Sequence, residues 1–440
     1  MRPLRTIASI LTVAVLVTSC SENTPTGPAP EDPAGRTPGV TDDAITIGTH
    51  QPLSGPASPG FQHVSAGARA VFAHINDNGG IHGRRIQYRV QDDSFDPSKT
   101  VEATRTLIND HEIFAMLGGL GTPTHEAVIA EINEAGVPDL FVSSGALSWD
   151  QPDVYPYSYG FQVDYSREAK IQGRYIAENF PGERVGLLYQ NDDVGPSSQA
   201  GLEQYLTDEI VAWESYDPGA PELVGQVASL QESGADIVVC HCIPAFLGLA
   251  ILESAAIGYE PQWIAPSFGG DVQTVTALIQ EYAQGTPAQE IPPEALLDGL
   301  IITAFLPLAA QHDDPWIRFF LEIHEEYNAG APFTDTTVYG MTQAVLFARV
   351  LMETGPDPTR PALIETLNSR AWAGPGLVPF YATETDHSGY GGVMVVQHNA
   401  GQSPKVLQEP LVTDSGGGEI LPFDMERPLP EEAPISGGGS

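Results

Sequence analysis

Small polar residues gather at two points where an apolar run ends and a helical pattern begins. These are residues 117–124 (LGGLGTPT) and residues 142–146 (VSSGA). Glycine lets the backbone approach a ligand closely, and a hydroxyl beside the free N–H groups of a helix start favours an anion such as a carboxylate. We therefore predict an anion-binding site here, although a Thr-capped turn and an ordinary polar loop would give the same patterns. The candidate ligand-binding residues in these segments are Gly121, Thr122, Pro123, Ser143, Ser144, Gly145 and Ala146.

Patterns typical of catalysis or nucleotide binding are missing from the sequence. The glycines of residues 118–121 lack the dinucleotide-binding spacing, and no G-x-S-x-G elbow or Walker loop occurs. His125-Glu126 lacks the second histidine of a zinc protease. The acidic pairs at 92–93 and 192–193 each follow a predicted strand, where caps are commoner than cation sites. We expect no enzymatic activity, no cofactor and no metal.

The chain has three cysteines, too few for a disulfide framework. Cys240 and Cys242 lie two residues apart in an apolar run (IVVCHCI), so on a strand they share one face while His241 points away. A metal site would need more ligands on that face. The pattern predicts two unpaired cysteines in the core.

The N-terminus has the features of an export signal. Arg2 and Arg5 precede an apolar run at 7–17, which is too short to span a bilayer, and VTSC follows with Cys20 at its end. Small residues before a cysteine are typical of bacterial lipoproteins, in which the cysteine carries the lipid. We predict a signal peptide at 1–19 and lipidation of Cys20, the alternative being an ordinary signal peptide. Pro, Gly and acidic residues predict a flexible tether at 20–42 and a flexible acidic tail at 412–440.

Composition narrows the possible partners. The chain has 440 residues, of which 42% are hydrophobic, enough for a substantial core. Lys and Arg total 19 against 57 Asp and Glu, a net charge of −38. A charge of that sign repels nucleic-acid phosphates and anionic lipid headgroups, so we expect neither as a partner. A saline habitat and a generic acidic surface are both compatible with this charge.

Predicted strands and helices alternate along the body. Two series of this alternation, before and after about residue 164, predict an α/β fold of two Rossmann-like, doubly wound lobes. In such sheets ligands bind beyond the carboxyl ends of the strands, where the predicted site lies. The strands are predicted at 44–49, 85–90, 113–117, 139–142, 184–190, 210–215, 237–242, 262–265 and 299–304, and the helices at 64–76, 97–110, 122–135, 166–179, 196–206, 222–232, 245–256, 315–327 and 336–353.

Several stretches together resemble one family. They are residues 51–56 (QPLSGP), 78–86 (NGGIHGRRI), 92–97 (DDSFDP), 137–146 (VPDLFVSSGA) and 191–195 (NDDVG), in that order. The chain thereby resembles a type I periplasmic substrate-binding protein of the leucine/isoleucine/valine-binding class over about residues 44–400. The Gly-Gly-Ile-x-Gly run and the two Asp-Asp segments are the most specific part.

The resemblance implies two lobes joined by a multi-strand hinge, closing on a small ligand that is passed to an ABC permease. It places the first lobe at 43–163 plus about 306–370 and the second at 164–305 plus about 371–411. It further implies a monomer anchored by lipid on the extracytoplasmic face of the cell membrane.

The resemblance also assigns roles in the cleft. Thr122 matches the hydroxyl residue that holds the ligand carboxylate, and Ser143 to Ala146 match the loop that contacts the carboxylate and ammonium. Three positions depart from the family pattern: Val194 replaces a tyrosine, Ile243 replaces an aromatic residue, and Ser267 replaces the acid that pairs with the ammonium.

A buried ammonium without a counter-charge is costly. Residues 143–149, which include Trp149, together with Phe268 and Tyr339 could therefore suit a carboxylate with an apolar body. The alternative is that Asp271 or another nearby acid replaces the missing one.

The sequence therefore predicts a solute-binding protein of an ABC importer for a branched-chain or related amino acid, with aromatic or aliphatic carboxylates and small amides as alternatives. A sensor on the same scaffold, which signals to a membrane partner, is the second interpretation. A secreted hydrolase is the third and lacks a catalytic constellation.

Overall fold

The computed structural model describes residues 37–435, and of residues 287 and 288 only the backbone. The predicted signal peptide, the lipidation at Cys20 and most of the predicted tether lie outside the described residues. The strands are β1 Ala44–Gln51, β2 Arg85–Asp92, β3 Met116–Leu117, β4 Asp139–Val142, β5 Ser158–Gly160, β6 Val185–Gln190, β7 Ile210–Tyr216, β8 Ile237–His241, β9 Gln262–Ala265, β10 Ile301–Ala304, β11 Phe380–Thr383, β12 Asp386–Tyr390, β13 Gly392–Gln397, β14 Lys405–Val412 and β15 Leu421–Pro422.

Several helices begin at a side-chain cap followed by proline, as at Asp96-Pro97 and Asp314-Pro315, where the aspartate accepts backbone N–H groups and proline fits the first turn. The α-helices are α1 Ser58–Asp77, α2 Pro97–Arg105, α3 Thr122–Glu126, α4 Ile129–Glu134, α5 Tyr165–Asn179, α6 Val194–Leu202, α7 Val224–Ser233, α8 Pro244–Ala256, α9 Val272–Tyr282, α10 Pro293–Leu296, α11 Pro315–Tyr327, α12 Asp335–Thr354 and α13 Arg360–Asn368. Short turns of other helix types lie at Thr106–Asp110, Leu147–Trp149, Pro287–Glu290 and Pro430–Glu432.

Two sheets carry the fold. The first has the strand order β2-β1-β3-β4-β5 and is parallel throughout. The second has the order β15-β14-β13-β10-β9-β8-β6-β7, with a parallel half from β10 to β7 and antiparallel strands beyond β10. The chain passes between the sheets after β5, after β10 and between β12 and β13. The prediction of an α/β fold with two doubly wound lobes and a multi-strand hinge is confirmed.

Most of the predicted elements occur within a few residues of their expected bounds. The predicted helix at 122–135 is divided into α3 and α4, and the predicted strand at 113–117 is reduced to two paired residues. The hairpin β11–β12 differs in location, because the sequence predicts residues 371–411 in the second lobe. Its Phe380 packs on Phe141 of β4 with 5.0 Å between ring centroids, so the hairpin lies on the first lobe.

Helices α1 and α12 cross in unusually close contact. A side chain at Gly340 would collide with the carbonyl oxygen of Val64, and one at Gly67 would collide with that of Thr337. Glycine at both positions therefore brings the two backbones together. The two helices form one packed unit on the first lobe.

Residues 412–435 differ from the predicted flexible tail. The Lys170 ammonium on α5, only 1% exposed, donates to the carbonyl oxygens of Gly416 and Gly418 at 2.7 and 2.6 Å and to the Asp414 carboxylate at 3.1 Å. Farther along, the Trp316 indole of α11 donates to the Pro428 carbonyl at 2.8 Å. The polar composition of residues 412–435 predicts a solvated segment, but its backbone carbonyls accept hydrogen bonds from the buried Lys170 ammonium. The segment therefore runs from the second sheet to a helix of the first lobe.

The prediction of two unpaired core cysteines is wrong, because Cys240 and Cys242 form a disulfide. Both side chains are fully buried and their Cα atoms lie 5.2 Å apart. A shared strand face brings the two thiols together, which the spacing indicated. The bond spans the end of β8, directly before Ile243.

No helix within residues 37–435 has both the length and the apolar character needed to cross a membrane. In the same part of the chain, no three His, Cys, Asp or Glu side chains converge as a metal site would require. The candidate acidic pairs have local partners instead. Asp92 accepts from the Ser54 hydroxyl at 2.6 Å, and Asp192 accepts from the Val194 N–H at 3.0 Å.

Candidate ligand-binding cleft

A cleft that is partly open to solvent lies where the carboxyl ends of the strands of the two sheets face each other. Segments after β3, β4 and β5 form one side, and segments after β6, β8 and β9 form the other. The starts of α1 and α12 contribute apolar and hydroxyl side chains. The residues lining the cleft are Phe61, Val64, Phe95, Leu120, Gly121, Thr122, Ser143, Gln162, Tyr165, Gln190, Val194, Ile243, Ser267, Phe268, Asp271, Asp335, Thr336 and Tyr339.

Three hydroxyls meet at the start of α3. Thr122 Oγ1 lies 2.7 Å from Ser144 Oγ and 3.1 Å from the Tyr165 hydroxyl. Gly121 precedes them with a φ of +102°, and a side chain there would meet the Phe95 ring at 2.5 Å. Glycine at this position allows the positive φ, so the chain passes directly from β3 into the start of α3, where the three hydroxyls meet.

Ser143 is held at the edge of the cleft by two hydrogen bonds. Its hydroxyl donates to the Gly118 carbonyl at 3.2 Å and accepts from Gln343 Nε2 of α12 at 2.9 Å. Residues Leu120 and Ser143 also pair as neighbouring backbone segments. The two segments singled out by their glycines and hydroxyls are therefore adjacent in the structure.

Two carboxyl groups line the cleft from α9 and α12. Asp271 caps α9 by accepting from the Thr274 N–H, and its second oxygen accepts from the Thr336 N–H at 3.3 Å. Asp335 accepts from the Ala309 N–H at 2.7 Å. Burial, with the nearby Asp271 charge, raises the pKa of Asp335 to about 8. A cation placed here would favour the ionised form of Asp335.

Ser267 is backed by a buried acid. Glu168 of α5 accepts from the Ser267 N–H at 2.6 Å and from the Ser267 hydroxyl at 3.2 Å. Burial raises the pKa of Glu168 to about 7, and hydrogen bonds from Thr303 and Ser267 limit the rise. Glu168 is thus satisfied behind the wall, while Ser267 itself faces the cleft.

Of the thirteen residues predicted from the sequence, eight line the cleft: Gly121, Thr122, Ser143, Val194, Ile243, Ser267, Phe268 and Tyr339. The other five, Pro123, Ser144, Gly145, Ala146 and Trp149, do not line it. Two of these support it, since the Ser144 hydroxyl contacts Thr122 and the Trp149 indole donates to the Ser144 carbonyl at 3.1 Å.

The residues that were not predicted come mainly from helix starts and strand ends without a recognisable motif. Asp271 was foreseen only as a replacement acid. The one signal in the sequence that could have indicated Tyr165 as a cleft residue is its position directly after the predicted lobe boundary. The full set is Phe61, Val64, Phe95, Leu120, Gln162, Tyr165, Gln190, Asp271, Asp335 and Thr336.

The family model for periplasmic binding proteins matches residues 44–403. A leucine-, isoleucine-, valine-, threonine- and alanine-binding protein of Pseudomonas aeruginosa is 20% identical over 256 residues, which are 55% of this chain and 65% of that protein. A Leu/Ile/Val-binding protein homologue of Brucella melitensis is 25% identical over 203 residues, 44% of this chain and 53% of the relative. The chain thus matches between half and two thirds of the length of these relatives.

Solved structures share the fold over more of the chain. A fatty acid ABC transporter substrate-binding protein from Thermomonospora curvata has a TM-score of 0.73 at 19% identity and covers 88% of this chain and 97% of its own. A branched-chain amino acid ABC transporter structure from Thermus thermophilus with bound valine has a TM-score of 0.71 at 16% identity, covering 85% and 98%. These matches confirm the resemblance seen in the sequence. The chain belongs to the periplasmic binding protein family, with the type I fold of the leucine/isoleucine/valine-binding class.

Proposed function

We propose that this protein is the extracytoplasmic solute-binding component of an ABC importer for a small ligand of the branched-chain or related amino acid class. The observation that carries the proposal is a single apolar cleft that presents both the Thr122 hydroxyl and the carboxyl groups of Asp271 and Asp335. The hydroxyl and the nearby backbone suit a carboxylate, and the acids suit an ammonium. In this arrangement Asp271 and Asp335 take the role of the acid that the family pattern has at the position of Ser267.

Binding is coupled to movement of the lobes. The cleft takes side chains from both sheets, so a ligand in contact with both sides favours the closed arrangement. The closed form is then the one recognised by a membrane permease. In this role the protein binds its ligand without changing any covalent bond, and it acts as a monomer.

A thermal-shift and calorimetric panel tests the proposal. Leucine, isoleucine and valine are compared with 4-methylpentanoate, the analogue of leucine without the amino group. Ligands that bind only the folded protein raise its melting temperature. We expect a rise with at least one amino acid, and loss of that rise in the double variant Asp271→Asn, Asp335→Asn. Absence of binding by every amino acid in the panel would overturn the proposal.

A plain carboxylate with an apolar body is the second candidate ligand. Ser267 in place of an acid favours it, as do Val194, Ile243 and Phe268 in the cleft wall. The related fold described for a fatty acid transporter protein is compatible with this alternative. Tighter binding of 4-methylpentanoate than of leucine would select it.

We further propose that Cys20 anchors the protein to the outer face of the cytoplasmic membrane. The export signal and the small residues before Cys20 support this location. Cys20→Ser should release the protein from the membrane fraction, whereas Cys20→Ser protein that sediments with membranes would contradict lipid anchoring.

A further inference from the structure

Two glutamine side chains in the cleft have one half of the amide without a partner. Gln162 and Gln190 line the cleft and are only 3% and 4% exposed. Within residues 37–435, Gln162 Nε2 and Gln190 Oε1 make no hydrogen bond. Buried polar atoms in folded proteins are nearly always paired, so each atom requires a partner of its own.

The orientation of the Gln190 amide is determined by a carboxylate. Its Nε2 donates to Asp192 Oδ2 at 2.5 Å, and an ionised carboxylate can only accept. The Asp192 Oδ1 atom is itself held by the Val194 N–H at 3.0 Å. The amide oxygen of Gln190 is therefore left as a hydrogen-bond acceptor in the wall of the cleft.

The free amide group of Gln162 is a hydrogen-bond donor, in contrast to the free acceptor of Gln190. The Tyr339 hydroxyl donates to Gln162 Oε1 at 3.1 Å, which leaves the Nε2 group as a donor. Gln162 follows β5 of the first sheet, whereas Gln190 is the last residue of β6 in the second sheet. The two lobes thus contribute one donor and one acceptor to the same cleft.

We propose that Gln162 and Gln190 are specificity-determining residues that require a ligand with an acceptor oxygen for Gln162 Nε2 and an N–H donor for Gln190 Oε1. This inference rests on the proposed function and narrows its ligand class. α-Amino acids and small carboxamides carry both groups on an apolar body. Plain carboxylates and fatty acids carry only acceptors at neutral pH.

The discrimination follows from the unpaired acceptor. A plain carboxylate in the closed cleft leaves Gln190 Oε1 buried without a donor and brings a second acceptor towards it. A site built to bond an N–H group discriminates strongly against an analogue that lacks it. Asp192 acts as a positioning residue, since it orients the amide without lining the cleft itself.

Calorimetry with three ligands of similar apolar body tests the inference. They are leucine, 4-methylpentanamide and 4-methylpentanoate, and the proteins are the full chain, Gln190→Leu and Gln162→Leu. Gln199→Leu is the matched control, because Gln199 is exposed on α6 outside the cleft. Circular dichroism melts verify that each variant is folded.

We expect leucine or 4-methylpentanamide to bind at least tenfold more tightly than 4-methylpentanoate. Gln190→Leu should remove that preference while retaining binding of 4-methylpentanoate, and Gln162→Leu should weaken all three ligands. Gln199→Leu should behave as the parent. If only leucine shows this tighter binding, the ammonium of an amino acid supplies the N–H group. If only 4-methylpentanamide shows it, a neutral carboxamide supplies the N–H group.

The two proposals fail differently. Tight binding of leucine with an unchanged preference in both Gln162→Leu and Gln190→Leu overturns this inference and leaves the amino-acid function standing. Preference of the parent for 4-methylpentanoate overturns the inference and supports the carboxylate candidate. Absence of binding by all three ligands overturns both proposals.

Discussion

His50 Nε2 lies 2.9 Å from His125 Nδ1 in the fully buried layer beneath the glycines of the cleft. The outer nitrogens contact carboxylates, His50 with Asp93 at 2.7 Å and His125 with Asp139 at 2.8 Å. Because an ionised carboxylate can only accept, the imidazole nitrogen that contacts it in each pair carries the N–H group. A side chain at Gly119 would meet both rings. This four-residue chain therefore supports the loop that carries Thr122.

Removal of His125 should strongly destabilise the protein. In His125→Ala, His50 loses its inner partner and the buried Asp139 loses its imidazole, so we expect the free energy of unfolding to fall by about 3–5 kcal/mol. Urea denaturation measures the change. His312→Ala, on the surface, should change the free energy by less than about 0.5 kcal/mol. Equal stability of the two variants would contradict the buried chain.

The Thr122 hydroxyl should contribute directly to affinity. Thr122→Ala should weaken ligand binding by about 1–3 kcal/mol if the hydroxyl meets a buried carboxylate, whereas Thr122→Ser should retain most of the affinity. Titration calorimetry with the ligand identified by the panel gives both values. Unchanged affinity in Thr122→Ala would remove this hydroxyl from the site.

Leucine binding should release a proton near neutral pH. The pKa of Asp335 is raised from 3.8 to about 8, so at pH 7 the free protein holds this proton. A bound ammonium favours the carboxylate, and the affinity should therefore rise as the pH increases towards about 8, the pKa of Asp335 in the free protein. Calorimetry at pH 7 in two buffers of different ionisation enthalpy measures the release.

The raised pKa of Asp335 makes the stability of the folded protein fall as pH rises, whereas the affinity for leucine rises. The folded state holds the proton more tightly than the unfolded state, so the contribution of Asp335 to stability is lost as pH rises from about 4 to about 8.

The control for the calorimetric experiment is Asp335→Asn, which should remove the proton release on leucine binding. Buffer-independent heats for the parent protein would show that no ammonium lies beside Asp335.

The buried Lys170 should stabilise the C-terminal segment. Lys170→Met leaves the carbonyls of Gly416 and Gly418 without their donor, and we expect a loss of about 1–3 kcal/mol in the free energy of unfolding. Lys405→Met is the control, since Lys405 is exposed on β14. Limited proteolysis should cut the segment faster in Lys170→Met, and equal cleavage rates would argue against this anchoring.

The disulfide is open to a chemical test. After denaturation without reductant, an alkylating reagent should leave Cys240 and Cys242 unmodified, and prior reduction should make both reactive. Mass spectrometry of the peptide that contains both residues reports the added mass. Alkylation of both thiols before reduction would contradict the bond.

Regular alternation predicted the strands β1 to β4 and β6 to β10, but not β5 or the antiparallel strands β13 to β15. β5 contains only three residues, too few for a period to show, and β3, predicted over 113–117, is paired over only two residues. Glycine and hydroxyl motifs identified Thr122 and Ser143, because a helix start after a strand has a recognisable composition. Gln162 and Gln190 carry no such motif, and their importance follows only from which atom of each amide remains free after folding.

The C-terminal segment was misjudged for a different reason. Its composition is that of a solvated chain, and its partners Lys170 and Trp316 lie more than a hundred residues away in sequence. Local patterns cannot reveal such pairings. The disulfide illustrates the converse case, since the shared face of Cys240 and Cys242 was visible in the spacing while the bond itself was not.

The close approach of α1 and α12 at Gly67 and Gly340 places residues of both helices on one continuous wall of the cleft. Phe61 and Val64 lie on one helix, and Thr336 and Tyr339 lie on the other. A side chain added at Gly340 would push the two backbones apart and so separate these residues. In the lobe closure proposed above, this packed pair of helices moves as one unit. New ligand preferences would therefore arise more readily from changes in the loops after β6, β8 and β9 than from this pair of helices.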